Sequence, residues 1–276
     1  MADELERSRK TLRELGKSLQ SLNGDCAPED VHKLRTASRR VEAIAGVIEA
    51  ADGKKSRRLV KVIEPVRKAA GGVRDMDVLL ANARKLARYC DGESLHHLVA
   101  HLKTVREQNA RELQHALHHR RKAVREDLKE YSKFVASVAK HAQSSSGSDE
   151  QASRAQEVIH SSAMNVMREL GDWKPLDEEN LHEFRLKVKQ LRYTLQLDAQ
   201  VDTGLVEALG DVQRRIGDWH DWYQLEKIAR EALVLEQDHA LLDRIGKTAK
   251  RRFDRALAAA NALRGKYLNM PMAMDA

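Results

Sequence analysis

Apolar residues recur at three- and four-residue intervals along almost the whole chain, the spacing of amphipathic helices. Leu5, Leu12, Leu15, Leu19 and Leu22 predict a first helix over 3–22, and Asn23-Gly24-Asp25 breaks it. Pro28 followed by Glu29 and Asp30 marks the next start, because proline suits the first helical position and acids suit the positive end of a helix dipole. This helix is expected to reach about Ala51, with Leu34, Val41, Ala45 and Ile48 on its apolar side and Asp52-Gly53 closing it. Another covers 54–71, with Leu59, Val62, Ile63 and Val66 apolar and a kink expected at Pro65. Gly71-Gly72 is read as a break, followed by a helix from Arg74 to Tyr89 and a turn at Asp91-Gly92. A long polar helix over 94–143 leads to Ser144–Asp149, whose Ser-Ser-Ser-Gly-Ser-Asp is the clearest linker in the chain. Beyond it, helices are expected over 150–170, 178–199, 205–216, 218–235 and 238–268, with a turn through Pro175, a break at Asp202-Thr203-Gly204 and an interruption at Gly217. No stretch alternates with period two, so the predicted class is all-α without sheet.

On the polar side of two of these helices the pattern repeats. Val31–Val41 reads Val-His-Lys-Leu-Arg-Thr-Ala-Ser-Arg-Arg-Val, and Leu181–Leu191 reads Leu-His-Glu-Phe-Arg-Leu-Lys-Val-Lys-Gln-Leu. Both spell His-x-x-Arg-x-x-x-(Arg/Lys) behind an apolar residue. At roughly 100° per residue, His32, Arg35 and Arg39 fall within an arc of about 60°, as do His182, Arg185 and Lys189. A single such stripe is ordinarily a solvated charged face. Two matched copies are not explained that way.

The copies are offset by 150 residues, and two further stretches come after them in the same order. Ala70-Gly71-Gly72-Val73-Arg74-Asp75 resembles Ile216-Gly217-Asp218-Trp219-His220-Asp221, and Lys103-Thr104-Val105-Arg106 with Arg111 and Leu113 resembles Lys247-Thr248-Ala249-Lys250 with Arg255 and Leu257. The expected organisation is therefore a duplication: a first helical-bundle repeat over 1–143, the linker 144–149, and a second repeat over 150–276. Each unit would hold about four helices, the two related by a pseudo-two-fold axis. If they face each other, both His helices contribute to one shared basic surface or channel. Its candidate residues are His32, Arg35, Arg39 and Arg40 with His182, Arg185, Lys189 and Arg192, extended by Arg58, Arg106 and Lys250. Nothing obvious on the two helices neutralises that charge, although Glu42 and Glu183 lie nearby.

Charge narrows the partner. The formal net charge is +7, and aromatic residues make up 4%. Arginine supplies a planar fork matched to phosphate oxygens, and lysine or histidine adds charge and donors. A basic helical face can also track a nucleic-acid backbone. The scarcity of aromatics near the basic stretches gives few platforms for stacked bases, and no zinc finger or RNA-recognition motif is legible. Cys26 and Cys90 are too few for a disulfide framework or a zinc site, and a reducing compartment is expected. With no apolar run of membrane length and no legible signal peptide, a soluble cytoplasmic protein is expected.

These residues resemble the CHAD domain, the conserved-histidine α-helical domain. The resemblance is carried by Val31-His32-Lys33-Leu34-Arg35 with Arg39-Arg40, by Arg74-Asp75-Met76-Asp77-Val78-Leu79-Leu80, and by Leu181-His182-x-x-Arg185 with Lys189. Leu191-Arg192-Tyr193, Val212-Gln213 and the run Gly217 to Asp221 complete it, over about residues 25–268. It departs at Gln190, where the first copy has Arg40, and at His220, where a polar Asn-like residue is expected. The resemblance implies an all-helical duplicated bundle that binds inorganic polyphosphate at a basic central surface without catalysing a reaction. Phosphate or sulfate ions would mimic the polymer, and no cofactor is implied. Polyphosphate granules are then one place in the cytoplasm where the chain could reside.

Other chemistry has weaker sequence support. His220-Asp221 could begin a metal site of the His-Asp phosphohydrolase kind. Its first-half counterpart is Arg74-Asp75, and arginine does not ligate metal. Asp75 and Asp221 are instead expected to cap a helix or hold a basic side chain. His97 and His101, and His115 and His119, share i,i+4 spacing but lack the Glu of His-Glu-x-x-His, so they are read as solvated, together with Arg120, Arg121 and Lys122. Trp219 and Trp222 are read as core or hinge residues. Nucleic-acid binding is the main alternative function, and metal-dependent phosphohydrolysis the remaining one.

Overall fold

The computed structural model describes residues 2–22, 26–88, 92–144, 148–195, 202–233 and 238–268, with side chains left out over 2–7, 46–52, 138–144 and 148–159. The expected break at Asn23–Asp25, the middle of the Ser144–Asp149 linker, and Cys90 lie outside the described residues. Apart from short connections, the longest over 172–180, the described residues are helical, and no strand occurs among them. The helices are α1 (Ala2–Ser21), α2 (Pro28–Leu86), α3 (Glu93–Ser144), α4 (Ser148–Gly171), α5 (Leu181–Leu195), α6 (Thr203–Ala232) and α7 (His239–Leu263), closed by a π-turn at Arg264–Leu268. None is long and apolar enough to cross a membrane, among the described residues.

The chain packs as two compact units. The first comprises 1–87 and 96–146, and the second 88–95 and 147–276. In the first, Leu12, Leu15 and Leu19 of α1 meet Val31, Leu34, Val41, Leu59 and Ile63 of α2, together with Leu113, Val124 and Tyr131 of α3. The second core joins Val166 and Leu170 of α4 to Phe184, Val188 and Leu191 of α5, with Leu209, Ile216 and Trp219 of α6 and Phe253 and Ala260 of α7. These are the apolar sides expected from the periodicity. Trp219 and Trp222 are both buried, as core residues rather than exposed platforms.

The 59 residues of α2 are not one straight rod. Glu42 meets Arg67 at 2.6 Å, although 25 residues of straight helix would hold them about 37 Å apart. The chain therefore doubles back between those residues, and α2 has two arms that pack side by side. The reversal lies between Glu42 and Arg67, and helix is assigned through Asp52-Gly53, where the sequence places a helix end. Two other expected boundaries do not exist. Gly71-Gly72 lies inside the second arm of α2, and Gly217 lies inside α6. A glycine costs about 1 kcal/mol in a helix interior and breaks nothing when the flanking turns are held by a core. Val66, Ala70 and Val73 are buried on either side of Gly71, and Val212, Ile216 and Trp219 around Gly217. Because helix continues through Gly71-Gly72, Asp75 caps no helix start.

Helix ends are fixed by named groups. Pro28 with Glu29 and Asp30 opens α2 as expected. The Asp202 carboxylate accepts from the Gly204 amide at 2.8 Å at the start of α6. Ahead of α5, the Asp177 carboxylate accepts from the Glu179 and Asn180 amides at 3.0 and 2.9 Å. Buried Asn180 in turn donates to the Pro175 carbonyl at 2.8 Å. Arg264 of the π-turn donates to the Gly171 and Trp173 carbonyls at 3.0 and 2.6 Å, closing the end of α4. Arg121 is half-buried and donates to the Leu22 carbonyl at 2.6 Å beyond α1. It is therefore not the solvated residue expected from its basic neighbours.

Gly16 lies inside α1, and a Cβ built there meets nothing within 4 Å. Gly16→Ala therefore removes backbone freedom from the unfolded chain without a clash, and should stabilise the protein by about 0.5–1 kcal/mol. Denaturant melts of the two proteins measure this, and an unchanged or lower midpoint contradicts it.

Candidate functional site

Each His helix places its arginine on a glycine of the helical segment packed beside it. In the second unit a Cβ on Gly217 of α6 would lie 3.1 Å from Arg185 Nη2 of α5. In the first, a Cβ on Gly71 in the second arm of α2 would lie 3.8 Å from Arg35 Nε in the first arm. Glycine lets the guanidinium lie close against helix backbone. Arg185 Nε donates to the Gln213 carbonyl at 3.0 Å, which fixes the plane of the group. Arg192, two turns on, repeats the device: a Cβ on Gly210 would stand 3.4 Å from its Cζ, and its Nη1 donates to Gln213 Oε1 at 3.3 Å. Gly217, expected to break a helix, is thus a docking position for arginine, whereas Gly71 faces Arg35 at ordinary contact distance.

In the second unit, α5 and α6 border a recess of about 770 Å³ lined by Arg185, Arg192, Gly210, Gln213 and Gly217. Arg214 also lines it, as do Glu207, Asp211, Asp218 and Asp221 of α6. The fold thus adds carboxylates from α6 beside Glu183 of α5, while Glu42 of the first unit is turned to Arg67. Asp211 is held by Arg214 and by Arg215, the latter at 2.5 Å, and Asp218 by Arg252 at 2.6 Å. Lys189 lies over the exposed Tyr193 ring at 5.5 Å.

The histidines at this site are neutral near pH 7. His182 and His220 stack with ring centroids 4.3 Å apart. Burial, then the neighbouring His182 and the Arg185 charge, push the His220 imidazole down to about 4. Burial and Arg185 push His182 down as well, against a weaker opposing pull from Glu183. His182 Nδ1 is buried without a hydrogen-bond partner. His32 of the first unit is lowered by partial burial and by Arg74 and Arg35.

In the first unit Asp75 faces the stripe, with Arg35 Nη2 at 3.8 Å. Desolvation pushes the Asp75 carboxyl up, while Arg35, Arg39 and Arg74 each favour its ionised form. With 65% of this side chain open to water, we take the three guanidinium groups as the stronger influence and treat it as a carboxylate. Of the two expected roles, Asp75 therefore fills the second and holds a basic side chain. Arg40 points to α1, where it meets Glu14 at 3.3 Å.

The remaining sequence candidates do not join these faces. Arg58 lies near the reversal of α2, 13 residues before Gly71 on the same arm, about 20 Å along the helix. It pairs there with Asp127 at 2.8 Å. Arg106 is drawn inward: its Nε donates to buried Asp77 at 2.6 Å and its Nη2 to the Cys26 carbonyl at 2.6 Å. Lys250 is exposed on α7, 3.3 Å from Asp254 and over the Phe253 ring. The paired histidines on α3 are exposed, and among the described residues no group of three or more His, Cys, Asp or Glu side chains could hold a metal ion.

Arg106→Met should leave the Asp77 carboxylate buried and unpaired, a loss of about 3–5 kcal/mol. Arg40→Ala should cost about 0–1 kcal/mol, because its pair with Glu14 is exposed. Denaturant titration of both variants checks the contrast, and equal losses would contradict it.

A family model described as the CHAD domain matches residues 6–230. Among solved structures, the crystal structure of the CHAD domain from the plant Ricinus communis is similar, with a TM-score of 0.63 at 16% identity over 93% of this chain and 88% of that one. At that identity the likeness is one of fold. No curated protein matches the chain in sequence.

Proposed function

The chain belongs to the CHAD domain family, and from that membership we propose that it binds inorganic polyphosphate through the two arginine-bearing His helices, without transforming it. The observation that carries the reading is the recurrence, in each unit, of a stripe arginine set against a glycine of the neighbouring helical segment: Arg185 close on Gly217, and Arg35 at ordinary contact distance from Gly71. Arg185, held at its inner edge by the Gln213 carbonyl, presents its outer N–H groups in a fixed plane, which suits the oxygens of a phosphate chain. The carboxylates of α6 do not oppose this. Asp211 and Asp218 are half-exposed and occupied by arginines. Exchanging exposed pairs of that kind for phosphate contacts costs little, since each is worth about 0–1 kcal/mol.

The polymer favoured is flexible and densely charged, and carries no bases. The non-catalytic reading rests on the counterpart of His220-Asp221, which is Arg74-Asp75, and on the stacking of His220 against His182.

Titration with polyphosphate and duplex DNA of equal phosphate content should give tighter binding of polyphosphate, weakening as salt rises. Arg35→Ala with Arg39→Ala, and Arg185→Ala with Lys189→Ala, should each weaken it, by about 1–3 kcal/mol for each charged hydrogen bond lost and less for exposed contacts. Equal affinity for duplex DNA would favour the nucleic-acid alternative, and wild-type affinity in either folded double variant would remove that face from the site.

Protonation should be coupled to binding. Polyanion phosphates favour the charged imidazoles that burial and Arg185 disfavour in the free protein. Binding then takes up protons, and affinity should rise as pH falls from 8 towards 5.5, by at most about tenfold per unit for each proton taken up. His182→Ala should flatten that dependence. In the free protein the sign is opposite for stability: a His220 lowered from 6.5 to about 4 contributes stability above pH 6.5 that is lost as pH falls towards 4. Calorimetric titrations and melts across this range test both, and a pH-independent affinity would refute the coupling.

A further inference from the structure

The second unit holds another basic recess, away from its His helix. Arg214 and Arg215 of α6 and Arg252 and Arg255 of α7 line a space of about 320 Å³, with Asp218 the one carboxylate among the lining residues. Four guanidinium groups against one carboxylate is a stronger excess than in the α5–α6 recess, where four carboxylates line the wall with three arginines. Asp211, just outside, pairs with Arg214 and Arg215, and Asp218 pairs with Arg252 at 2.6 Å. Arg255 is exposed and makes no ion pair among the described residues. Arg214 and Asp218 line both recesses, so the two adjoin at these side chains of α6.

The cluster is only half represented in the first unit. At the offsets of the repeat, 146 for α6 and 144 for α7, Arg214 and Arg255 have basic counterparts in Lys68 and Arg111. Arg215 and Arg252 correspond to Ala69 and Gln108. The convergence of four arginines is therefore not part of the pattern shared by the two His helices. Like-charged side chains converging from two helices repel one another, and an anion between them removes that cost.

We propose that the α6–α7 recess is a second anion-binding site, which takes a linear condensed phosphate continuing from the α5–α6 recess past Arg214. The proposal rests on the polyphosphate reading above and adds to it a track within one unit. A long chain then contacts the α5–α6 face and the α6–α7 arginines together, while inorganic tripolyphosphate is held at one or the other.

The test is a titration of the full chain with long-chain polyphosphate, with tripolyphosphate and with duplex DNA, over a salt series. Arg252→Gln with Arg255→Gln should weaken long-chain binding about three- to tenfold and reduce the slope of log affinity against log salt by about 1.4, at about 0.7 per lost phosphate contact as for flexible single strands. Arg255→Gln alone removes no ion pair and serves if the double variant melts early; it should weaken binding by a smaller factor. Asp218→Asn releases Arg252 and removes the opposing charge, so it should tighten long-chain binding at least about twofold. Unchanged affinity and salt slope in Arg255→Gln and Asp218→Asn, with wild type still binding polyphosphate, overturns this site alone. Failure of the wild-type chain to bind polyphosphate overturns the functional reading and this site with it. A loss confined to duplex DNA would reassign the recess to nucleic acid and also overturn it.

Discussion

The contact on which the rest of the candidate site depends is an arginine laid across a glycine on the neighbouring helix. Any side chain at Gly217 would bring a carbon to 3.1 Å of the Arg185 guanidinium, so only the bare backbone admits the group in its observed position. The cost is about 1 kcal/mol of helix propensity at each such glycine. The result is a guanidinium whose inner edge is committed to the Gln213 carbonyl while the group still lines the α5–α6 recess. The start of α5, fixed by Asp177 and Asn180, sets which turn of that helix meets Gly217. The cap at Asp202 does the same for α6. Site geometry therefore traces back to two short-range hydrogen-bonded turns and one missing Cβ.

A second tie between the same helical segments is made with different chemistry in each unit. In the first, Glu42 in one arm of α2 accepts from Arg67 Nε in the other at 2.6 Å. In the second, Arg192 of α5 reaches Gln213 of α6 at 3.3 Å. Glu42 and Arg192 are 150 residues apart, and Arg67 and Gln213 are 146 apart, the offsets already seen for the histidines and the glycines. The bridge persists while its ion pair is replaced by an arginine–amide hydrogen bond, as expected of diverged copies of one contact. The change has an electrostatic consequence. The first unit neutralises this position internally, whereas the second keeps a cation on its His helix with Nε buried and without a hydrogen-bond partner. The two faces therefore start from unequal charge despite their matched stripes.

Helix type and apolar faces were legible because burial imposes a period, and Leu34, Val41, Phe184 and Val188 are all fully buried. The stripes were legible for the same geometric reason. Gly71 and Gly217 were misread because a glycine that ends a helix and one that is packed inside it look identical along a chain. The recurrence of Gly71 and Gly217 at a fixed offset, in step with Arg35 and Arg185, was the available signal that they serve packing. Arg106 looked like a surface cation because its partner Asp77 lies 29 residues earlier. Its burial is a tertiary fact with no local signature. The carboxylates facing the second stripe were missed because they sit on α6, so their opposition to α5 depends on helix pairing. Arg214-Arg215 and Arg251-Arg252 were visible as basic pairs, but only the packing of α6 against α7 brings Arg214, Arg215 and Arg252 to one recess.

The mixture of acids and arginines on α6 bears on selectivity more than on raw affinity. A wholly basic groove attracts any anion, including nucleic-acid backbones. Here Asp211 and Asp218 already occupy Arg214, Arg215 and Arg252. An incoming anion must displace them, at a small cost for each exposed pair, because Asp211 on the same helix and Asp218 on the neighbouring one stay within reach of those arginines. A sparse charge distribution gains little from that exchange. A condensed phosphate brings several oxygens to neighbouring arginines at once, so each displaced carboxylate is replaced by charge of greater local density. Exchange of this kind also sets the salt response: added salt weakens the internal pairs and the polymer contacts together, and only the difference between them appears in the measured affinity.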